Sequence, residues 1–263
     1  MTSIMNKNIN LPWIEKYRPN NTNKILLEPF LLEKINKIIM SKSIPNMILT
    51  GEPGTGKTST VLIIAKEIFK DDYADNVLEL NASDDRGLSI INNAIIPFCQ
   101  KITKSTEKLI ILDEADSITN KAQNLLSNLI NLFKKNCRFV FVCNDSVKIN
   151  ESIQSKCIIV NFPKLTDTNI YDKLVEICNN EKIEYTKEFI DELIFISDKD
   201  IRKSINNLEC IYFTHKKLTI DNIYKLLDKP KPEYIRNIIH TCVENKFEES
   251  ILEVTKLYKN GYN

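Results

Sequence analysis

The sequence predicts a parallel β-sheet wrapped by helices, followed by a smaller all-helical region. Three observations carry this. Short apolar runs alternate with helix-period stretches up to Phe162. A glycine-rich loop joins the first apolar strand to a helix, and strand–helix alternation around such a loop favours parallel pairing. Beyond Pro163 the strand signal stops and only helical periodicity remains.

In order, the predicted strands are Asn46–Thr50, Val77–Asn81, Lys108–Leu112, Arg138–Cys143 and Cys157–Phe162. Helical stretches lie between them. From Asn120 to Lys135, the residues Ala122, Leu125, Leu126, Leu129, Leu132 and Phe133 make one apolar face. Four helices are predicted next, over Thr166–Asn180, Lys187–Ile196, Asp200–Phe213 and Thr219–Leu227. Lys229-Pro230-Lys231-Pro232 reads as a linker. Two further helical patterns, Glu233–Glu244 and Phe247–Lys259, are too few to bury a core alone. The expected organisation is an α/β domain over 1–164, a helical domain over 165–228 and a final helical segment over 229–263.

Composition narrows the class. Hydrophobic content of 43% supplies a core, and a net charge of +1 excludes a globally polycationic protein while leaving room for a local basic face. The seven cysteines are scattered without a CxxC, which argues against a zinc site or a disulfide framework and for reduced, buried apolar fillers in an intracellular protein. Met1 to Asn10 is polar and does not resemble a signal peptide. No apolar run approaches membrane-spanning length, so no membrane association is expected.

The chemistry concentrates in Gly51-Glu52-Pro53-Gly54-Thr55-Gly56-Lys57-Thr58, followed by Ser59. Three of the five glycines fall there. Glycine lets a backbone curl around an anion and point its N–H groups inward. A helix N-terminus adds partial positive charge at the phosphates. Lys57 is expected to reach the β- and γ-phosphates of ATP, and Thr58 to hold Mg²⁺. The run Leu109–Leu112 ends in Asp113-Glu114-Ala115-Asp116. Carboxylates at a strand's C-terminal end lie beside the phosphate loop in an open α/β sheet. Asp113 is expected in the Mg²⁺ shell, and Glu114 to orient or deprotonate the attacking water. Asn144 tips another strand and could touch the γ-phosphate. Asp200-Ile201-Arg202-Lys203 opens a helix with two cations that oppose its dipole, and bound phosphate is the expected compensation.

These residues resemble, motif after motif and in order, the small subunits of replication factor C, the sliding-clamp loader of the AAA+ ATPases. Pro12-Trp13-Ile14-Glu15-Lys16-Tyr17-Arg18-Pro19 is similar to the family's N-terminal box. That resemblance places Tyr17, Arg18 and Pro19 near the adenine. Gly51–Thr58 resembles Walker A and Asp113–Asp116 Walker B. Leu78–Gly87 resembles a box nearly private to clamp loaders. Asn144 stands at sensor 1 and Arg202 at sensor 2. The resemblance covers about Leu11 to Leu227. It implies an ATPase subunit of a heteromeric, pentameric loader that opens a sliding clamp and admits primer–template DNA. Arg86, before a predicted helix, and more weakly Lys121 are the implied DNA contacts, reading charge and shape. The implied location is intracellular: the nucleus of a eukaryotic cell, or a host or viral replication compartment.

Three departures from the family stand out. Ser155-Lys156-Cys157 replaces Ser-Arg-Cys, so lysine occupies the position of the arginine that completes a neighbour's ATP site. Lysine keeps the charge and loses the planar fork, and such an arginine can contribute about 10³–10⁵ in rate. Ser127-Asn128 stands where the family carries an arginine pair. The C-terminal collar of the family is a full helical domain, whereas this sequence stops at Asn263, roughly two helices in. Lys156 and the short collar favour an alternative, a mainly structural ATP-binding subunit. A branch-migration helicase of the AAA+ class is a further alternative, but lacks the Asn81–Gly87 box. A DEAD-box helicase would need a second motor domain.

Overall fold

The computed structural model describes residues 11–84, 87–103, 107–227 and 229–259. Five parallel strands form one sheet among these: β1 (Met47–Gly51), β2 (Val77–Asn81), β3 (Lys108–Asp113), β4 (Cys137–Cys143) and β5 (Ile158–Phe162), in the order β2-β3-β4-β1-β5. Each matches a predicted strand to within one residue at either end.

A short helix, α1 (Trp13–Lys16), precedes this part, whose own helices are α2 (Pro29–Ser41), α3 (Lys57–Phe69), α4 (Tyr73–Asn76), α5 (Leu88–Ile90), α6 (Ile96–Gln100), α7 (Asn120–Leu132) and α8 (Glu151–Gln154). The helical region that follows holds α9 (Asp167–Asn180), α10 (Lys187–Ile196), α11 (Ile201–His215), α12 (Ile220–Leu227), α13 (Pro232–Val243) and α14 (Phe247–Lys259).

Alternation along the central strands builds two apolar layers. Leu109, Ile111, Val140 and Val142 pack with Val61, Ile64 and Ala65 of α3. Ile110, Leu112, Phe139 and Phe141 pack on the opposite face with Ala122, Leu126 and Leu129 of α7. Both faces are therefore covered, and the strands read as continuous apolar runs. β5 is an edge strand, with Ile158 and Ile159 exposed. α7 ends at Leu132, short of the predicted Lys135, and Leu132 is exposed although it fits the predicted apolar face. Lys134 and Lys135 follow the helix end instead of extending it.

The chain divides into two compact units, Tyr17–Thr166 and Met1–Lys16 with Asp167–Asn263. This differs from the sequence reading, which assigned residues 1–16 to the α/β domain and separated 229–263. The reason for the first difference is local. Trp13 is buried, its backbone N–H donates to Glu209 Oε2 at 3.0 Å, and its ring lies 5.7 Å from Tyr212 and 5.9 Å from Phe213, all on α11. In α13 no described residue is buried and in α14 only Ser250 is, as expected of helices too few to form a core.

Candidate nucleotide-binding site

β1 delivers the chain into the loop and α3 takes it away. Gly51, Gly54 and Gly56 have φ of 147°, 81° and 88°. Gly56 is the N-cap of α3. At Gly51 the need for glycine is also steric, because an added Cβ would lie 2.3 Å from the Phe162 carbonyl oxygen on neighbouring β5. Thr55 Oγ1 donates to the Glu52 carbonyl at 2.9 Å and Thr60 Oγ1 to the Gly56 carbonyl at 2.8 Å, bracing the curl.

Lys57 is buried. Its Nζ donates to the carbonyls of Gly51 at 2.8 Å and Glu52 at 2.7 Å, and to Asn144 Oδ1 at 3.3 Å. The strand order makes this possible. β4 pairs directly with β1, Thr50 lies opposite Cys143, and Thr50 Oγ1 donates to the Asn144 carbonyl at 3.3 Å. Thr58 Oγ1 donates to Asp113 Oδ2 at 2.9 Å. The other Asp113 oxygen accepts the Glu114 backbone N–H at 2.9 Å. Glu114 has φ of 52°, a left-handed conformation at a non-glycine residue. Such backbone conformations concentrate at functional sites. A hydroxyl and a carboxylate at this separation are hard oxygen donors that fit Mg²⁺, which keeps waters and phosphate oxygens for its remaining positions. Among the described residues no group of three His, Cys, Asp or Glu could hold a metal without such help.

Lys57 and Thr58 of α3, Asp113 and Glu114 at the end of β3, and Asn144 after β4 are thus assembled from two strands and one helix. Glu52 and Pro53 are exposed, Gly54 and Thr55 buried, and Ser59 half-buried in the first turn of α3. Tyr17, Arg18 and Pro19 are half-buried where the chain enters the α/β unit. Ile25, a few residues on, would lie 3.9 Å from a Cβ at Gly56. Arg202 is exposed in the helical unit, in the first turn of α11. Asp200 caps that helix, its carboxylate accepting from the backbone N–H groups of Arg202 and Lys203, so a carboxylate already offsets part of the opposition between these cations and the helix dipole. That aspartate at the N-cap position was the available signal. Lys121 is exposed in the first turn of α7. Arg86 lies outside the described residues. Lys156 is turned onto α7, donating to Ser127. Sequence reasoning missed Thr50, Phe162 and Lys164, whose Nζ lies 2.8 Å from Glu52 Oε2.

Five of the cysteines are partly or fully buried, as expected, but Cys210 and Cys242 are exposed. On β4, Cys143 Sγ donates to the Leu49 carbonyl at 3.7 Å, and burial pushes its thiol up to about 11, keeping it neutral beside Asn144.

Fold and site together define a P-loop ATPase of the AAA class. Residues 47–164 match the model of the ATPase family associated with various cellular activities, and residues 168–225 match the RFC1-like AAA+ ATPase lid domain. The chain is 42% identical over 253 residues to a replication factor C small subunit of Acanthamoeba polyphaga mimivirus, covering 96% of this chain and 79% of that one. It is 38% identical to replication factor C subunit 2 of Arabidopsis thaliana over 97% of this chain and 77% of that one, and 38% identical to subunit 4 of Saccharomyces cerevisiae over 97% and 79%. The chain belongs to the replication factor C small-subunit family. In fold it is also similar to the RuvB Holliday junction branch migration motor of Thermotoga maritima, with a TM-score of 0.65 over 88% of this chain and 80% of that one at 18% identity. That likeness is one of fold alone.

Proposed function

We propose that the chain works as an ATP-hydrolysing subunit of a clamp loader, within a multi-subunit complex that loads a sliding clamp onto primer–template DNA. One observation carries the chemistry: Lys57 Nζ within reach of Asn144 Oδ1 while Thr58 Oγ1 meets Asp113 Oδ2. In this reading the Gly51–Gly56 backbone and Lys57 hold the phosphates of ATP, with Ser59 in the same helical turn. Thr58 and Asp113 hold Mg²⁺, which supplies charge neutralisation at the phosphates. Glu114 aligns the attacking water and takes up its proton, and Asn144 positions that water. Tyr17, Arg18 and Pro19 serve the adenine side and Arg202 the phosphate side. Arg86 and Lys121 follow DNA phosphates. The helices of residues 229–259 serve contacts between subunits, in keeping with the exposed Ile239, Val243, Ile251 and Leu252. Partners of this kind imply an intracellular replication compartment; among the described residues no helix is long and apolar enough to cross a membrane.

The test is a reconstituted complex assayed for ATP turnover stimulated by clamp and primer–template DNA. Glu114→Gln should retain nucleotide binding and lose the turnover of this site. Undiminished turnover by that variant, with the other sites silenced, overturns the assignment.

A second reading, a mainly structural subunit with weak catalysis in trans, is favoured by the Lys156–Ser127 contact, which engages the cation within its own chain.

A further inference from the structure

We propose that Lys164 is a positioning residue for nucleotide binding, acting by neutralising a carboxylate built into the phosphate loop. The inference rests on the reading of that loop as the nucleotide site. Glu52 is its second residue, and a carboxylate there is electrostatically opposed to the loop's task. Its carbonyl is part of the cradle, accepting from both Lys57 Nζ and Thr55 Oγ1. The side chain therefore starts from a Cα held within the phosphate loop. Lys164 Nζ sits 2.8 Å from Glu52 Oε2. The sheet register sets this meeting, since Gly51 pairs with Phe162 and Lys164 follows two residues later.

The pair does not hold the fold together. Both side chains are about 60% exposed, at 60% and 59%, and an exposed ion pair contributes little to stability. Its effect falls on a ligand instead. Unpaired, the Glu52 carboxylate repels a polyphosphate in proportion to the ligand's charge, and salt screens that repulsion. Removing Lys164 should then penalise ATP more than ADP, and more at low ionic strength. A cation that contacted phosphate directly would also discriminate by charge, but its loss would not depend on Glu52.

The experiment titrates the full chain calorimetrically with Mg-ATP and Mg-ADP, at low and high salt. The variants are Lys164→Ala, Glu52→Gln, their combination, and Lys57→Ala as reference. Lys164→Ala should weaken ATP binding by about two- to fivefold at low salt. The factor should be smaller for ADP, shrink at high salt and vanish in the Glu52→Gln background. An equal loss in that background overturns the proposal, because Lys164 would then act on phosphate itself. An equal loss for ATP and ADP at every salt, or no loss, overturns it as well. If Lys57→Ala binds ATP like the parent, the nucleotide-site reading fails too. If Lys57→Ala loses binding while Lys164→Ala does not, only the present inference fails.

Discussion

Lys156 Nζ donates a hydrogen bond to the Ser127 carbonyl oxygen at 3.0 Å and a second to the Ser127 hydroxyl. Ser127 is buried in α7, and its hydroxyl donates in turn to the Ser152 carbonyl at 3.1 Å. By the resemblance read from the sequence, these are two positions where arginines of the family are expected. The departures meet in one contact that ties α7 to the turn after α8. To reach a neighbouring subunit's phosphate, the Lys156 ammonium would have to give up both bonds.

Lys156→Ala should therefore destabilise the isolated chain, by about 1 kcal/mol for a half-buried charged hydrogen bond, or roughly 2–4 °C in Tm. Ser127→Ala should remove part of the same energy, so the double variant should lose less than the sum. Thermal melts of the three variants check this. An unchanged Tm together with a large fall in ATP turnover at the adjacent site of the assembled complex would mean that Lys156 acts in trans.

Asp113→Asn should weaken the Mg²⁺ dependence of nucleotide binding and leave the metal-free affinity nearly unchanged. Thr58 and Asp113 present the two oxygens expected to face the metal, 2.9 Å apart. Titrating ATP with Mg²⁺ and again with a chelator gives the comparison. An equal loss under both conditions would assign Asp113 to the fold.

Gly51→Ala should abolish nucleotide binding and destabilise the α/β unit by about 1–3 kcal/mol, in the range of stored backbone strain. The new Cβ would lie 2.3 Å from the Phe162 carbonyl oxygen, a backbone atom that moves only with β5. A parent-like ATP isotherm for this variant would contradict the close approach of β1 and β5.

Thiol labelling at pH 8 should be fast at Cys210 and Cys242, which are exposed, and slow at Cys143, Cys157 and Cys178. Burial pushes the last three up to about 11, 12 and 11 from an ordinary value of 9.0. A thiol raised in the folded state favours folding below the unfolded value and withdraws that contribution as pH rises through the folded value. Stability should therefore fall between about pH 9 and 12, and this alkaline loss should be smaller in Cys178→Ala. Mass spectrometry of the labelled chain and melts across that range check both parts.

Arg86→Ala should weaken DNA binding by the assembled loader alike on unrelated sequences and lower the salt slope by about one unit. Binding measured across a salt series decides it. An unchanged slope would assign Arg86 to structure.

The sequence by itself determined the elements and the kind of chemistry. The phosphate loop was legible because its glycines, lysine and threonine act together within eight contiguous residues, between a strand and a helix. The strands were legible because their apolar runs are short and uninterrupted, and Asp113, Glu114 and Asn144 because polar residues ending such runs stand out. Only the tertiary structure decided which of these residues meet. Asn144 reaches Lys57, 87 positions away, because β4 is inserted beside β1. Lys164 reaches Glu52 because β5 pairs on the other side of β1. Trp13 packs on α11, and so residues 11–16 join the helical unit and not the α/β unit that follows them in sequence. Lys156 turns to Ser127 because α7 lies within reach of the turn after α8. Periodicity and local propensity act over a few residues, whereas sheet order and side-chain pairing are settled by burying apolar surface across the whole chain.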